Sequence, residues 1–109
     1  DINPQKILMI AQNKSTWGQG LPEPYIAIKD IPLTSVQLLS PDKHPTLKIH
    51  LLNGVDIMKF KSSQEEFEQF TRPNMYLTAV CRCSRNEWNG NITAQLIVED
   101  FYINEQFNS

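Results

Sequence analysis

Two Asn-Gly dipeptides limit what this chain can become. Asn53-Gly54 and Asn89-Gly90 each stand between segments suited to strands. A type I′ turn needs positive φ at both central positions, which Asn and Gly tolerate, so each dipeptide predicts a β-hairpin. Before the first, Thr46 to Leu52 puts Leu47, Ile49 and Leu51 on one side and Thr46, Lys48 and His50 on the other. That is a half-buried antiparallel strand with a polar outer face. Val55 to Lys61 returns as its partner with ambiguous facing: Val55 and Ile57 lie on one side, Met58 and Phe60 on the other. Around the second dipeptide, Met75 to Trp88 and Ile92 to Ile103 make two long strands.

The remaining segments fill in the order. Asn3 to Asn13 reads as a short helix, with Asn3 as N-cap, Pro4 at the first helical position and Ile7, Leu8, Ile10 and Ala11 as apolar contacts. Thr16 to Pro24 holds two Gly and two Pro and is an irregular loop. Tyr25 to Leu39 reads as one long first strand, bent at Pro32, which cannot donate to a ladder. Ser40 to Pro45 is a loop. Ser62 to Phe70 is a serine-capped helix whose Glu65 and Glu66 favour the positive end of its dipole. Its Phe67 and Phe70 are spaced to plug an apolar opening.

The order β-β-β-α-β-β after an N-terminal helix is that of a mainly β, five-stranded OB-fold Greek-key barrel. A small sandwich or an SH3-like barrel is the alternative, and the single helix after strand three favours the OB-fold. The expected organisation is 1–24 for the N-terminal helix and Gly/Pro loop, 25–104 for the barrel and 105–109 for a tail.

At 109 residues, 40% hydrophobic and 20% charged, the chain suits one soluble globular domain. No apolar run approaches a membrane span, and Ile7 to Ala11 is too short for a signal-peptide core, so a cytoplasmic location is expected. The chain opens mid-pattern on Asp1-Ile2-Asn3-Pro4 without an initiator Met, which suggests a piece of something larger. Cys81 and Cys83, two apart on a strand, point the same way and are poorly placed to bridge each other. Buried core thiols are expected, and no metal site, since the Cys and His spacings match no zinc pattern.

From about Asn3 to Ile103 the chain resembles the single-strand-specific exonuclease RecJ. Gly18-Gln19-Gly20-Leu21-Pro22-Glu23-Pro24 is similar to the family's Gly-x-Gly-Asn-x-x-Pro loop, with Leu21 in place of Asn and Thr16-Trp17 in place of the preceding Pro-Phe. His44 and Leu47-Lys48 stand for a His-Leu-Lys pattern, with Pro45 and Thr46 inserted. Most specific is Asn86-Glu87-Trp88-Asn89-Gly90 followed by Gln95-Leu96 and Asp100. The resemblance implies an OB module in a bacterial 5′ to 3′ exonuclease of the Asp-His-His phosphoesterase superfamily, acting in DNA repair and recombination. It implies Mn²⁺ or Mg²⁺ for the parent enzyme, held in upstream nuclease domains of the same chain, and a single-strand-binding protein as a further candidate partner. No Asp-His-His run or Gly-rich phosphate loop occurs here, so this chain by itself is expected to be non-catalytic and to need no cofactor.

OB-folds bind oligonucleotides over strands two and three, between the first and fourth inter-strand loops. That rule selects Lys43 and His44 in the first loop, Thr46, Lys48 and His50 on strand two, Lys59 on strand three, and Trp88 with Asn89 and Asn91 at the fourth loop. Arg82 and Arg85 either extend the basic path along strand four or pair with Glu87 and Glu99. Lys, Arg and His would neutralise phosphates, and Trp88 would stack on a base. Trp88 would equally serve to cover the barrel end or pin the hairpin register. The net charge of −2 and the scarcity of exposed aromatics favour a second reading, an OB domain that is a protein-interaction or interdomain scaffold with little intrinsic DNA affinity.

Overall fold

A computed structural model describes residues 2–12 and 24–106. In chain order the elements are α1 (Pro4–Gln12), β1 (Tyr25–Pro32), β2 (Val36–Leu39), β3 (Thr46–His50), β4 (Asp56–Lys59), α2 (Gln64–Phe70), β5 (Met75–Trp88) and β6 (Asn91–Glu105). The expected helix at the N-terminus forms as its cap dictates. Asn3 Oδ1 accepts from the Gln5 and Lys6 N–H groups at 2.9 and 3.3 Å. Ser63 caps α2 in the same way, its Oγ accepting from Glu66 N at 3.1 Å. The Gly/Pro loop expected before β1 lies almost wholly outside the described residues.

All six strands join one mixed sheet in the order β1-β5-β6-β4-β3-β2, with β4 and β6 parallel and every other pair antiparallel. The expectation of one bent first strand is corrected, because β1 and β2 pair with different partners on opposite edges. Pro32 ends β1 just after a bulge, where Lys29 and Asp30 face the single residue Thr78 and Asp30 takes a φ of 52°. Leu33 N then donates to Met75 O of β5 at 3.0 Å, while His50 N of β3 donates to Ser35 O at 3.2 Å. Across Leu33–Ser35 the backbone therefore passes from β5 to β3, and the sheet curls back on itself. The fold is mainly β and OB-like.

The two Asn-Gly turns differ. Asn89 (φ 51°) and Gly90 (φ 81°) both lie in the left-handed region, as a type I′ turn requires. Gly54 takes a φ of 88°, but Asn53 does not share that sign, so the first turn is not type I′. Gly54 N donates to Leu51 O and Leu51 N donates to Val55 O, which closes a longer loop, Leu52-Asn53-Gly54, with Gly54 at its left-handed position. Leu51 thus faces Val55, His50 pairs with Asp56 and Ile49 with Ile57. This register resolves the ambiguous strand, since Val55 and Ile57 are buried and Phe60 is exposed.

The core gathers alternate residues of every long strand: Ile28, Leu47, Ile49, Ile57, Leu77, Ala79, Cys81 and Leu96 among them. On β6 the buried side changes from Ala94, Leu96 and Val98 to Phe101 and Ile103. The change is absorbed at Glu99, an extra residue where the β5–β6 register shifts. Ile7 of α1 joins the core, and α1 packs on β5 and β6. Phe70 of α2 is buried with its ring 5.7 Å from that of Phe101, while Phe67 is half-buried. Both cysteines are buried and form no disulfide; burial, Cys83 and Glu99 together push the Cys81 thiol up to about 12.

Candidate nucleic-acid interface

Strand parity decides which basic residues reach the surface. On β3, Leu47 and Ile49 point into the core, so Lys48 and His50 point out. Ladder pairing sets His50 opposite Asp56 and Lys48 opposite Met58 on the outer face of β4. Asp56 is almost fully enclosed between the two bases. His50 Nδ1 lies 2.6 Å from Asp56 Oδ1, and Lys48 Nζ lies 3.8 Å from Asp56 Oδ2. A carboxylate only accepts, so His50 donates through Nδ1 and keeps Nε2 for solvent or a ligand. Asp56 therefore fixes two basic side chains on one patch of sheet.

Lys43 and His44 sit at the Thr46 end of β3, in a turn closed by their N–H groups donating to Ser40 O at 3.3 and 3.1 Å. Ser40 adopts a φ of 48° to aim its carbonyl there. Both side chains are exposed and continue the line that begins at His50 and Lys48. Thr46 lies between them but is buried, its hydroxyl donating to His44 O at 3.1 Å.

The other candidates are placed differently. Lys59 shares the parity of Val55 and Ile57 and so points inward; it is 9% exposed, pairs with Glu66 of α2 and lies 4.8 Å from the Phe101 ring centre. It does not reach the outer face. Arg82 is on the outer face, in line with Lys48 through Met58 and Ile97, but its guanidinium is engaged by Glu99. Arg85 has the opposite parity and pairs with Glu87 at 3.6 Å. Trp88 is 72% exposed at the tip of the β5–β6 hairpin, beyond the last residues that β1 and β4 cover. Its indole lies open, so it does not cover the barrel end.

Beside His50 the seam between β1 and the β3–β4 turn opens into a groove of about 800 Å³. Ile2, Ile26, Ile28, Ile31 and Leu51 give it an apolar lining, with Lys29 and His50 among its polar walls. Sequence reading missed this groove because its residues are scattered over three segments. It also missed the clamp made by Asp56, which depends on the register of the turn. Among the described residues no three His, Cys, Asp or Glu side chains gather as metal ligands. The carboxylates of Asp56, Glu66, Glu87, Glu99 and Glu105 are instead engaged by basic side chains, so this donor set does not fit a two-metal centre.

One mixed sheet that curls back on itself and packs two helices, with an outward basic patch on its β3–β4 hairpin, defines an OB-type module. The chain belongs to the RecJ OB domain family, whose model matches residues 1–100. Over 100 residues it is 26% identical to YorK of Bacillus subtilis (strain 168), named as an SPbeta prophage-derived single-strand DNA-specific exonuclease. The corresponding protein of Bacillus phage SPbeta matches equally. The match covers 89% of this chain and 17% of each relative. Among solved structures, RecJ from Thermus thermophilus, crystallised in complex with Mn²⁺, superposes with a TM-score of 0.60 at 16% identity, over 99% of this chain and 15% of that one.

Proposed function

We propose that this chain is the single-stranded-DNA-binding OB module of a RecJ-like 5′ to 3′ exonuclease, non-catalytic by itself. The observation that carries this reading is the pair Lys48 and His50, held outward by Asp56 on the hairpin where OB-folds take oligonucleotides. Lys43, His44, Lys48 and His50 supply a short phosphate track, and Trp88 supplies a stacking face beyond its far end. Bases turned from the backbone at His50 meet the apolar groove. In this reading β1 and β2, though divided at Leu33–Ser35, together fill the place of the first strand of a five-stranded OB barrel. Mn²⁺ or Mg²⁺ belongs, in this reading, to nuclease domains outside this chain, as do any contacts with a single-strand-binding protein. A cytoplasmic place in bacterial DNA repair and recombination follows from the same reading.

A titration of labelled oligo-dT followed by fluorescence anisotropy tests it. Weak binding is expected at low salt, with at least a several-fold loss in Lys48→Glu. Absence of binding at low salt, with Lys48→Glu and His50→Ala indistinguishable from wild type, would overturn the assignment. The second reading, an interdomain scaffold with little DNA affinity, draws on a specific observation. Lys59, Arg82 and Arg85 all have acidic partners within the domain, which leaves few cations for phosphates.

A further inference from the structure

Across β1 from the groove, with Ala27 at the border of the two, β1, β5 and β6 expose a second face. Met75, Leu77, Ala79 and Cys81 point into the core, so Tyr76, Thr78 and Val80 point outward. The ladder sets Tyr102 opposite Thr78, Ala27 opposite Val80 and Tyr25 opposite Arg82. All three tyrosines of the chain therefore lie on this one face. Tyr25 is 54% exposed, Tyr102 58% and Val80 41%. Ala27, Val80, Phe101 and Tyr102 line a shallow notch of about 200 Å³ among them. Tyrosine at such density, around small aliphatic side chains, is the composition of a protein-protein contact centre.

Carboxylates dominate the charges here, with Lys29 and Asp30 together at the bulge that follows Ala27. Asp100 pairs with Val80 within the face and Glu99 stands beside it. The one arginine in the tyrosine rows, Arg82, is held by Glu99. A phosphate chain would meet carboxylates, whereas a protein surface with an apolar centre and a basic rim would find its complement. The matched relatives supply such a partner, since this domain corresponds to 17% of their length and the rest of the polypeptide must pack somewhere.

We propose that the Tyr25–Val80–Tyr102 face docks this domain onto the nuclease domains of its parent exonuclease, leaving the Lys48–His50 side free for the strand. The partner's identity rests on the function proposed above, but the docking does not require DNA binding by this chain. The test mixes this chain with the separately expressed remaining domains of the parent and reads the complex by analytical ultracentrifugation. Val80→Asp/Tyr102→Lys is expected to weaken the complex about tenfold or more. Tyr102→Phe should retain it, and far-UV circular dichroism should match wild type for both variants. Oligo-dT anisotropy of the isolated chain should be unchanged by Val80→Asp/Tyr102→Lys, and Lys48→Glu should leave the complex intact. No complex with wild type, or one indifferent to Val80→Asp/Tyr102→Lys, would overturn the docking. Loss of oligonucleotide binding in that variant would make the face a base-stacking platform. Self-association of the isolated chain abolished by it would make the occupant a second copy. Both outcomes also overturn the proposal. If Lys48→Glu fails to alter DNA binding while the complex responds as expected, only the DNA reading falls.

Discussion

Lys48 and Lys59 show how one residue type serves opposite ends. Lys48 stands outward beside Asp56, whereas Lys59 follows Val55 and Ile57 inward and meets Glu66 under the Phe101 ring. Lys59→Ala strands Glu66 and removes the methylene packing, and should cost about 2 kcal/mol in urea unfolding. The cost stays below that of a fully buried pair because Glu66 keeps some access to water. Oligo-dT affinity should change by less than about twofold, since a track of outward cations loses none of its members. A second residue-scale outcome concerns Cys81. Its thiol is raised from an ordinary 9.0 to about 12 in the folded state by burial, then by Cys83 and Glu99. The folded state holds its proton where the unfolded chain releases it, so the contribution is full below pH 9.0 and is lost as pH rises toward 12. Unfolding free energy should fall in that window by up to about 1.4 kcal/mol per pH unit, and Cys81→Ala should flatten the slope. Below pH 9, a thiol reagent should reach Cys81 only on unfolding.

At the scale of elements, each hairpin turn carries its own requirement. Gly90 has open space around the position of a Cβ, so Gly90→Ala meets no clash there. Its φ of 81° alone makes the substitution costly, by about 1 kcal/mol in denaturant unfolding. The same change tests the DNA reading, because it loosens the register that presents Trp88. The sequence announced both turns, the Asn3 and Ser63 caps and the apolar phase of β3. It announced the plug residues Phe67 and Phe70 as well, of which Phe70 is fully buried. Two features of the strands themselves were not legible. One is the division of the first strand, which follows from the bulge at Asp30 and from hydrogen bonding to distant β5 and β3. The other is the extra residue at Glu99, which keeps both apolar halves of β6 facing inward.

For the whole molecule, the balance of charge sets what a polyanion would feel. Of the basic and aromatic side chains expected to touch DNA, Lys59 is internal, and Arg82 and Arg85 are occupied by Glu99 and Glu87. Lys43, His44, Lys48, His50 and Trp88 remain along one side. With about three phosphates neutralised, the logarithm of the oligo-dT association constant should fall with the logarithm of salt at a slope of about −2. An anisotropy series between low and moderate salt measures it. A slope near zero would indicate that the patch does not act on phosphates.

The two Asn-Gly turns mark where sequence reading ends and tertiary structure begins. Local chemistry was enough to locate both, because positive φ is a property of Asn and Gly themselves and needs no partner. It was enough for the second turn's type too. It was not enough for the first, where Leu47, Ile49 and Leu51 could pair with either apolar phase of Val55 to Phe60. A shorter turn would have set Asp56 opposite Leu51 on the core side and turned Val55 and Ile57 outward. The longer loop sets Asp56 opposite His50 and buries Val55 and Ile57. A strand reverses its faces when its register slips by one residue, so a choice within a single turn decides which lysine is outside. The core and its polar counterparts settle that choice together, which is why the clamp around Asp56 exists only in the folded barrel.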